Sequence, residues 1–215
     1  MSLLSQSSKL KAQSRELEKL PLMEHYYTIQ GEGYNTGTPA YFLRLGGCDV
    51  GCVWCDVKDS WDATQHPVTG IDEMLQLVRN SNASTVVITG GEPLMYDLKD
   101  LTEYFHENNI RLWLETSGAY PLTGNWNWIC VSPKKYKTPL KGVLEKADEL
   151  KVVIFNRSDF DWAEQHAANV STNSKLFLQP EFSRQAEMLP RIIGYIKQNP
   201  RWRISLQTHK YMNIP

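Results

Sequence analysis

The segment Cys48-Asp49-Val50-Gly51-Cys52-Val53-Trp54-Cys55 carries three of the four cysteines of this 215-residue chain, at the spacing CxxxCxxC. It comes directly after an apolar run at 41–45 and the pair Gly46-Gly47. This order predicts a loop at the end of a buried strand. In a reducing compartment, thiols so close together indicate metal or redox chemistry more than a disulfide framework.

The number of thiols narrows the kind of metal site. Three thiolates can bind three irons of a [4Fe-4S] cluster and leave the fourth iron open, whereas electron-transfer clusters take four protein thiolates. A zinc site requires four nitrogen or sulfur ligands, and the first histidine after the segment is His66. Cys130 could be a fourth ligand, but its apolar neighbours are typical of a cysteine that packs as a small hydrophobic residue. The spacing favours an iron-sulfur cluster and leaves zinc or redox thiols open.

The composition is that of an ordinary globular protein, with 41% hydrophobic and 22% charged residues and a net charge of -1. The 23 basic and 24 acidic residues give no excess of positive charge, so we expect no nucleic-acid partner. No apolar run approaches the roughly 18 residues of a membrane span, and we expect a cytoplasmic protein without a membrane partner. We expect residues 1–20 to form an N-terminal tail or docked helix, and residues 21–215 to form one catalytic domain.

Short apolar segments alternate with amphipathic ones along the chain, which predicts strand-helix units and a mainly parallel sheet. We expect an α/β fold of the partial (β/α) barrel type, in which functional loops follow the carboxyl ends of the strands. Gly90, Thr116 and Ser132 then share one rim. Thr69 and Asp72 resemble a capping box at the start of a helix. The predicted strands are 26–29, 41–45, 85–89, 111–115, 128–131, 150–155, 176–179 and 203–206, and the predicted helices are 71–79, 98–107, 159–168 and 186–197.

A second motif, Thr89-Gly90-Gly91-Glu92-Pro93, follows the strand predicted at 85–89. Paired glycines let the backbone approach a ligand closely, and a glutamate can pair with an ammonium group. With Trp54 before the last cysteine, the two motifs together resemble the radical S-adenosylmethionine (SAM) superfamily. The resemblance implies a [4Fe-4S] cluster held by Cys48, Cys52 and Cys55, whose open iron binds SAM. Reductive cleavage of SAM then gives a 5'-deoxyadenosyl radical that removes hydrogen from the substrate.

Further segments resemble one family within that superfamily, the 7-carboxy-7-deazaguanine synthases. These lyases convert 6-carboxy-5,6,7,8-tetrahydropterin to 7-carboxy-7-deazaguanine with loss of ammonia, in the biosynthesis of 7-deazaguanines such as queuosine. The matching segments are 27–33, 55–56, 89–93, 115–118, 131–134, 179–180 and 207–215.

The resemblance also implies the binding residues. Arg44 lies in an apolar strand, and its planar guanidinium suits a carboxylated pterin. His209 and Lys210 are candidates for moving protons, but no general base is assigned. For SAM the implied residues are Trp54, Cys55, Asp56, Gly91, Glu92, Ser132, Pro133, Lys134, Gln179, Pro180, Glu181 and Phe182. For the substrate they are Ile29, Gln30, Gly31, Arg44, Thr89 and Pro215.

The chain departs from the family at one position. Relatives carry a threonine or serine two residues after the last cysteine as a hydroxyl ligand for Mg2+, and this chain has Val57. Valine cannot coordinate a hard cation, which takes oxygen ligands. Any Mg2+ would then bind through substrate oxygens, water or another side chain, so its presence stays open.

The resemblance implies two partners, an electron donor such as flavodoxin or ferredoxin and a second copy of the chain in a homodimer. Two other functions stay open from the sequence. One is a different radical SAM enzyme, such as a glycyl-radical activase, which would require a large protein partner. The other is a non-catalytic iron-sulfur or zinc module, which would leave the motif at 89–93 and the C-terminal segment unexplained.

Overall fold

The computed structural model describes residues 18–215, which form one sheet flanked by helices. Its helices are α1 (Ile71–Arg79), α2 (Lys99–Glu107), α3 (Lys141–Leu144), α4 (Ser158–Ala167), α5 (Gln185–Gln198) and α6 (Thr208–Met212). Its strands are β1 (Lys19–Ile29), β2 (Pro39–Leu45), β3 (Val68–Gly70), β4 (Thr85–Gly90), β5 (Arg111–Thr116), β6 (Trp128–Val131), β7 (Glu149–Ile154), β8 (Lys175–Pro180) and β9 (Trp202–Ile204).

The strands follow the order β3-β1-β2-β4-β5-β6-β7-β8-β9. β1 pairs antiparallel with both β2 and β3, and every pair from β2 to β9 is parallel. β3 and β9 are the two edges, so the sheet does not close on itself. This open, mostly parallel sheet confirms the predicted α/β fold of the partial (β/α) barrel type. The carboxyl ends of the parallel strands lie along one rim, where the motif-bearing loops begin.

Burial explains why these segments take these structures. The apolar residues of α1, Ile71, Met74, Leu75 and Val78, recur at the spacing of one helix face, and all four are fully buried against the sheet. β4 has four consecutive buried residues, 85–88, as expected of a parallel strand covered on both faces.

Each predicted strand and helix is present, with small differences at the ends. β1 begins seven residues earlier than predicted, because its first part pairs with β3 through Lys19 and Gly70. β3, α3 and α6 are not predicted. The capping box at Thr69 is wrong: the first helix begins after Gly70, and the Thr69 hydroxyl donates to the Pro67 carbonyl at 3.4 Å instead.

Residues 1–17 lie outside the part of the chain that the structure describes, so most of the expected N-terminal tail or docked helix over 1–20 falls there. Lys19 and Leu20 are the first residues of β1. Among the helices of residues 18–215, none combines the length and the apolar character needed to cross a bilayer.

Candidate active site

One cavity of about 590 Å³ collects nearly all the residues that the motifs single out. Its walls come from β1, β2, β4, β5, β7 and β8 and from the loops that follow them, and Gly90, Thr116 and Ser132 lie on its rim as predicted. Every residue assigned to the cluster, SAM or the substrate lines it, except Pro133. Pro133 lines a neighbouring cavity of about 160 Å³, which shares Trp54 with the larger one.

The cysteine loop is fixed at both of its ends by backbone hydrogen bonds. The amide of Gly47 donates to the Ser60 carbonyl at 2.6 Å, and the amide of Cys48 donates to the Trp61 carbonyl at 3.1 Å. The amide of Cys55 donates to the Cys52 carbonyl at 3.1 Å, which closes a turn between the last two cysteines. The loop therefore has a defined path over the cavity.

The three cysteines of the loop are free thiols. Burial raises the pKa of Cys48, and it raises the pKa of Cys52 to about 11. Among residues 18–215, no three His, Cys, Asp or Glu side chains are gathered closely enough to hold a single metal ion. A zinc site needs its ligands around one ion, whereas in a cluster each thiolate binds a different iron. The loop supplies three thiols, which match three irons of a cluster and are one ligand short of a structural zinc site, so they fit an iron-sulfur cluster better than zinc.

The two other candidate ligands are placed elsewhere. The Nε2 of His66 is hydrogen-bonded to the Asp59 carbonyl at 2.8 Å. Cys130 is buried in β6 and does not line the cavity, and burial raises its pKa well above the ordinary value of a thiol. Cys130 is thus buried as predicted, but its thiol is hydrogen-bonded to Glu115 rather than packed only against apolar side chains.

The loop after β4 packs directly on the cysteine loop. The amide of Gly91 donates to the Leu45 carbonyl, and the amide of Glu92 donates to the Gly47 carbonyl, both at 2.9 Å. A Cβ atom on Gly91 would overlap the Gly47 carbonyl oxygen and press on the Cys48 Cβ. Glycine is required here because only its bare backbone allows this approach.

The Glu92 carboxylate is buried, and its hydrogen bonds hold the loop after β5. Its Oε1 accepts from the Leu94 amide at 3.1 Å and from the Thr116 hydroxyl at 2.5 Å. Its Oε2 accepts from the Ser117 amide at 2.8 Å and from the Ser117 hydroxyl. These four bonds fill the roughly four acceptor positions of a carboxylate. The side chain thus joins the loops after β4 and β5.

The wall of the cavity formed by Ser132, Lys134 and Gln179 is polar and carries one cationic side chain. Lys134 donates to the Ser132 hydroxyl at 2.5 Å, and its ammonium lies 5.4 Å from the centre of the Trp54 ring. Burial lowers the pKa of Lys134. The Gln179 amide oxygen accepts from the Ser205 hydroxyl at 2.6 Å. The side chains predicted for SAM are thus oriented by bonds within the protein.

Arg44 is held by the antiparallel pair at the edge of the cavity. Its Nε donates to Glu24 at 2.5 Å, and its Nη2 donates to the Tyr26 hydroxyl at 3.4 Å. Both partners lie on β1. A guanidinium has five N-H donors in one plane, so these two contacts leave an edge of Arg44 for an anionic ligand.

A buried charge network at the cavity wall is not predicted from the sequence. The Lys151 ammonium donates to Glu32 at 2.7 Å and to Glu115 at 3.0 Å, and Gln30 donates to Glu115 at 3.3 Å. Burial alone would raise the pKa of Glu32, but Lys151 and the Gln207 amide lower it to about 2. The signal in the sequence is Lys151 among the apolar residues of 150–154.

The C-terminal segment closes one side of the cavity. The Pro215 carbonyl accepts from the Thr28 hydroxyl at 3.3 Å. Val57 lines the cavity, and the carboxylate beside it, Asp56, is ion-paired with Lys210 at 3.3 Å. A hydrocarbon and a carboxylate already paired with an ammonium do not fit a protein-held Mg2+ site.

Comparison with known proteins gives the family. Residues 43–152 match the Radical SAM superfamily profile. A Flavobacterium psychrophilum protein named 7-carboxy-7-deazaguanine synthase is 57% identical over 92% of this chain and 94% of its own. A protein of the same name from Synechocystis is 48% identical over 90% and 93%. The crystal structure of QueE from Escherichia coli matches with a TM-score of 0.78 at 31% identity, covering 87% of this chain and 93% of its own. The chain therefore belongs to the 7-carboxy-7-deazaguanine synthase family of radical SAM enzymes.

Proposed function

We propose that this chain converts 6-carboxy-5,6,7,8-tetrahydropterin to 7-carboxy-7-deazaguanine with loss of ammonia, in a pathway to 7-deazaguanines such as queuosine. The observation that carries this proposal is the single cavity of about 590 Å³, whose walls hold the three free thiols together with Arg44 and Gln30. A volume in the range of 300–1,000 Å³ is typical of small-molecule sites.

The residues around the thiols support binding of the cluster and SAM. Cys48, Cys52 and Cys55 would each bind one iron. When bound, the cluster and SAM supply the one-electron chemistry that removes a hydrogen atom from the substrate. Because the Glu92 carboxylate is committed to the loop after β5, we assign contact with SAM in this motif to the backbone around Gly91.

The other SAM residues in this proposal line the polar wall of the cavity or lie next to it. Lys134 and Trp54 would enclose the ligand on one side, and their contact with each other fixes both side chains. The remaining residues of this group are Asp56, Ser132, Pro133, Gln179, Pro180, Glu181 and Phe182.

The substrate residues in this proposal lie mainly on β1 and β2. The free edge of Arg44 is placed to bind the carboxylate of the pterin, and Glu24 keeps the guanidinium in one orientation. Protein groups mainly hold the substrate in place and exclude water from a reactive radical. The other substrate residues are Ile29, Gln30, Gly31, Thr89 and Pro215.

Several finer features belong to the same proposal. Residues 21–215 would form the catalytic domain, with a flavodoxin or ferredoxin as the electron donor. A homodimer in the cytoplasm, without nucleic-acid or membrane partners, is consistent with the family resemblance and the near-zero net charge. We assign no protein ligand to Mg2+, because Val57 stands where a hydroxyl is expected.

The test is an anaerobic incubation of the reconstituted protein with SAM, dithionite and the carboxytetrahydropterin, followed by mass spectrometry of the product. We expect many turnovers of 7-carboxy-7-deazaguanine per SAM in the wild type. Cys52→Ala should abolish turnover because it removes a cluster ligand. Cys130→Ser is the matched control, because that thiol does not line the cavity and serine keeps a group that can bond to Glu115, and it should keep turnover.

Two outcomes would contradict the proposal. If SAM is cleaved but the pterin is untouched, the radical chemistry holds and the substrate is wrong. If a fully reconstituted and reducible protein cleaves no SAM, the enzyme assignment fails for this chain.

A further inference from the structure

The loop after β1 crosses the open side of the sheet. This loop, residues 30–34, begins at β1, the second strand from one edge of the sheet. It is hydrogen-bonded to groups on β7 and to groups that follow β9, the strand at the other edge. The Gly31 carbonyl accepts from the amide and the hydroxyl of Thr208, both at 2.9 Å. The Gly33 amide donates to the Ser205 hydroxyl at 2.9 Å. This segment, which we call the crossing loop, thereby closes the partial barrel that the strands leave open.

Glu149, at the start of β7, holds the last residue of the crossing loop. Its Oε2 accepts from the Tyr34 amide at 3.1 Å and from the Trp128 indole at 3.2 Å. The rings of Tyr34 and Trp128 stack with their centres 5.0 Å apart. Tyr34 therefore makes two contacts with the sheet, and the bond between Trp128 and Glu149 joins the two residues that it contacts.

The contacts described so far involve Oε2 and give no role to the second carboxyl oxygen of Glu149, Oε1. Glu149 is 2% exposed, and its Oε1 accepts no hydrogen bond from residues 18–215. A Cβ on Gly33 would overlap this oxygen, so the crossing loop lies directly on it. A buried carboxyl oxygen without a partner is costly, and far more so when it carries a charge.

We propose that Glu149 is a positioning residue that latches the crossing loop to the sheet and so places Gln30, Gly31 and Glu32 in the cavity. Its link to the pterin rests on the proposed function. Glu149 does not line the cavity and would act only through the loop.

The hold of Glu149 on the crossing loop depends on pH because Glu149 is buried among charged groups. Lys151 follows it on β7, Glu115 and Cys130 face it from β5 and β6, and Lys175 is its register partner on β8. Burial and Glu115 raise the pKa of Glu149 to about 7 against the opposing effect of Lys151, from an ordinary value of 4.5. Closure of the loop then favours the neutral acid.

The sign of the effect follows from linkage. A group whose pKa is higher in the closed state weakens closure as pH rises from 4.5 to about 7, and has no further effect above that. Two further titratable groups, Glu32 within the loop and His209 packed on it, behave differently. Glu32, with a pKa of about 2, has no effect above pH 4.5. His209 packs on Gly31, and because burial lowers its pKa, it strengthens closure as pH rises toward 6.5.

The test is hydrogen exchange of the peptide spanning 30–36 in the cluster-loaded protein, with protection corrected for intrinsic exchange at each pH. Glu149→Gln keeps the acceptor oxygen and cannot ionise. We expect the ratio of wild-type to Glu149→Gln protection to fall about tenfold from pH 5.5 to 7 and then level off. His209 cancels from this ratio because both proteins contain it.

Two further variants separate the latch from general damage. Glu149→Ala should speed exchange in 30–36 about tenfold and raise KM for the pterin more than it lowers kcat, with both restored in Glu149→Gln. Asp148→Asn changes the neighbouring carboxylate, which accepts from the Ile129 amide at 2.8 Å and has no hydrogen bond to the crossing loop, and should leave exchange at 30–36 unchanged.

The proposal is overturned if the ratio is flat with pH, or if Asp148→Asn alters exchange as Glu149→Ala does. Should Glu149→Ala fail to fold, the ratio of wild type to Glu149→Gln decides alone. Exchange requires no pterin, so a wild type that turns over no pterin refutes the proposed function and leaves the latch to be decided separately.

Discussion

At the residue scale, two glutamates beside the same lysine have pKa values shifted in opposite directions. Glu32 binds the Lys151 ammonium at 2.7 Å, and its pKa is lowered to about 2. Glu149 lies near Lys151 without a bond to it, and burial raises its pKa to about 7. Direct contact with a cation outweighs desolvation in the first case and does not in the second. The buried ammonium of Lys151 therefore favours the ionised form of Glu32, whereas burial favours the neutral form of Glu149.

The stability of the protein should reflect the ionised Glu32. Because its pKa is lowered in the fold, its contribution is present above pH 4.5 and is lost as pH falls toward 2. The difference in unfolding free energy between wild type and Glu32→Gln should shrink by about 1.4 kcal/mol per pH unit below pH 4.5. Urea unfolding between pH 6 and 3 measures it. Glu107→Gln, at an exposed position on α2, is the matched control for the loss of one carboxylate.

At the element scale, the cysteine loop and the loop after β4 depend on each other. Gly91→Ala should push the two loops apart, because its Cβ would overlap the Gly47 carbonyl. Overpacking of this kind costs about 1–3 kcal/mol. We expect lower iron and sulfide content after reconstitution and weaker SAM binding.

Gly194→Ala is the matched control for that variant. A Cβ on Gly194 in α5 meets nothing within 4 Å, so alanine should keep the iron content and stabilise the helix by up to about 1 kcal/mol. Full cluster content and SAM affinity in Gly91→Ala would refute the dependence of the two loops.

The sequence predicts the elements whose signal is local. Buried strands such as β4 and amphipathic helices such as α1 carry their periodicity within a few residues, and both are found where expected. β3, α3 and α6 have three, four and five residues, which are too few to show a period. They form because the rest of the fold supplies their partners.

The site shows the same difference between features with a local signal in the sequence and features that depend on the fold. The cysteine motif and the motif at 89–93 are contiguous, and their residues are found on one cavity. The network of Glu32, Glu115 and Lys151 joins three distant segments, so no spacing reveals it. The commitment of Glu92 to Thr116 and Ser117 also depends on the parallel neighbours β4 and β5, which only the folded chain brings together.

At the scale of the whole molecule, an open sheet is turned into an enclosed site by segments outside the strands. The crossing loop spans the open side, and the C-terminal segment reaches back to β1 through Pro215 and Thr28. The thiols and the proposed substrate residues therefore face one volume rather than two. Direct transfer of hydrogen between SAM and the substrate requires this arrangement.

The proposed reaction removes the hydrogen atom at C6 of the carboxytetrahydropterin, and the most direct test of that central claim is to trace deuterium from this position during anaerobic turnover. If both ligands meet in the one cavity and hydrogen is returned after each cycle, deuterium should appear at the 5' carbon of SAM recovered from the reaction. Product formed while the recovered SAM stays unlabelled would contradict the account.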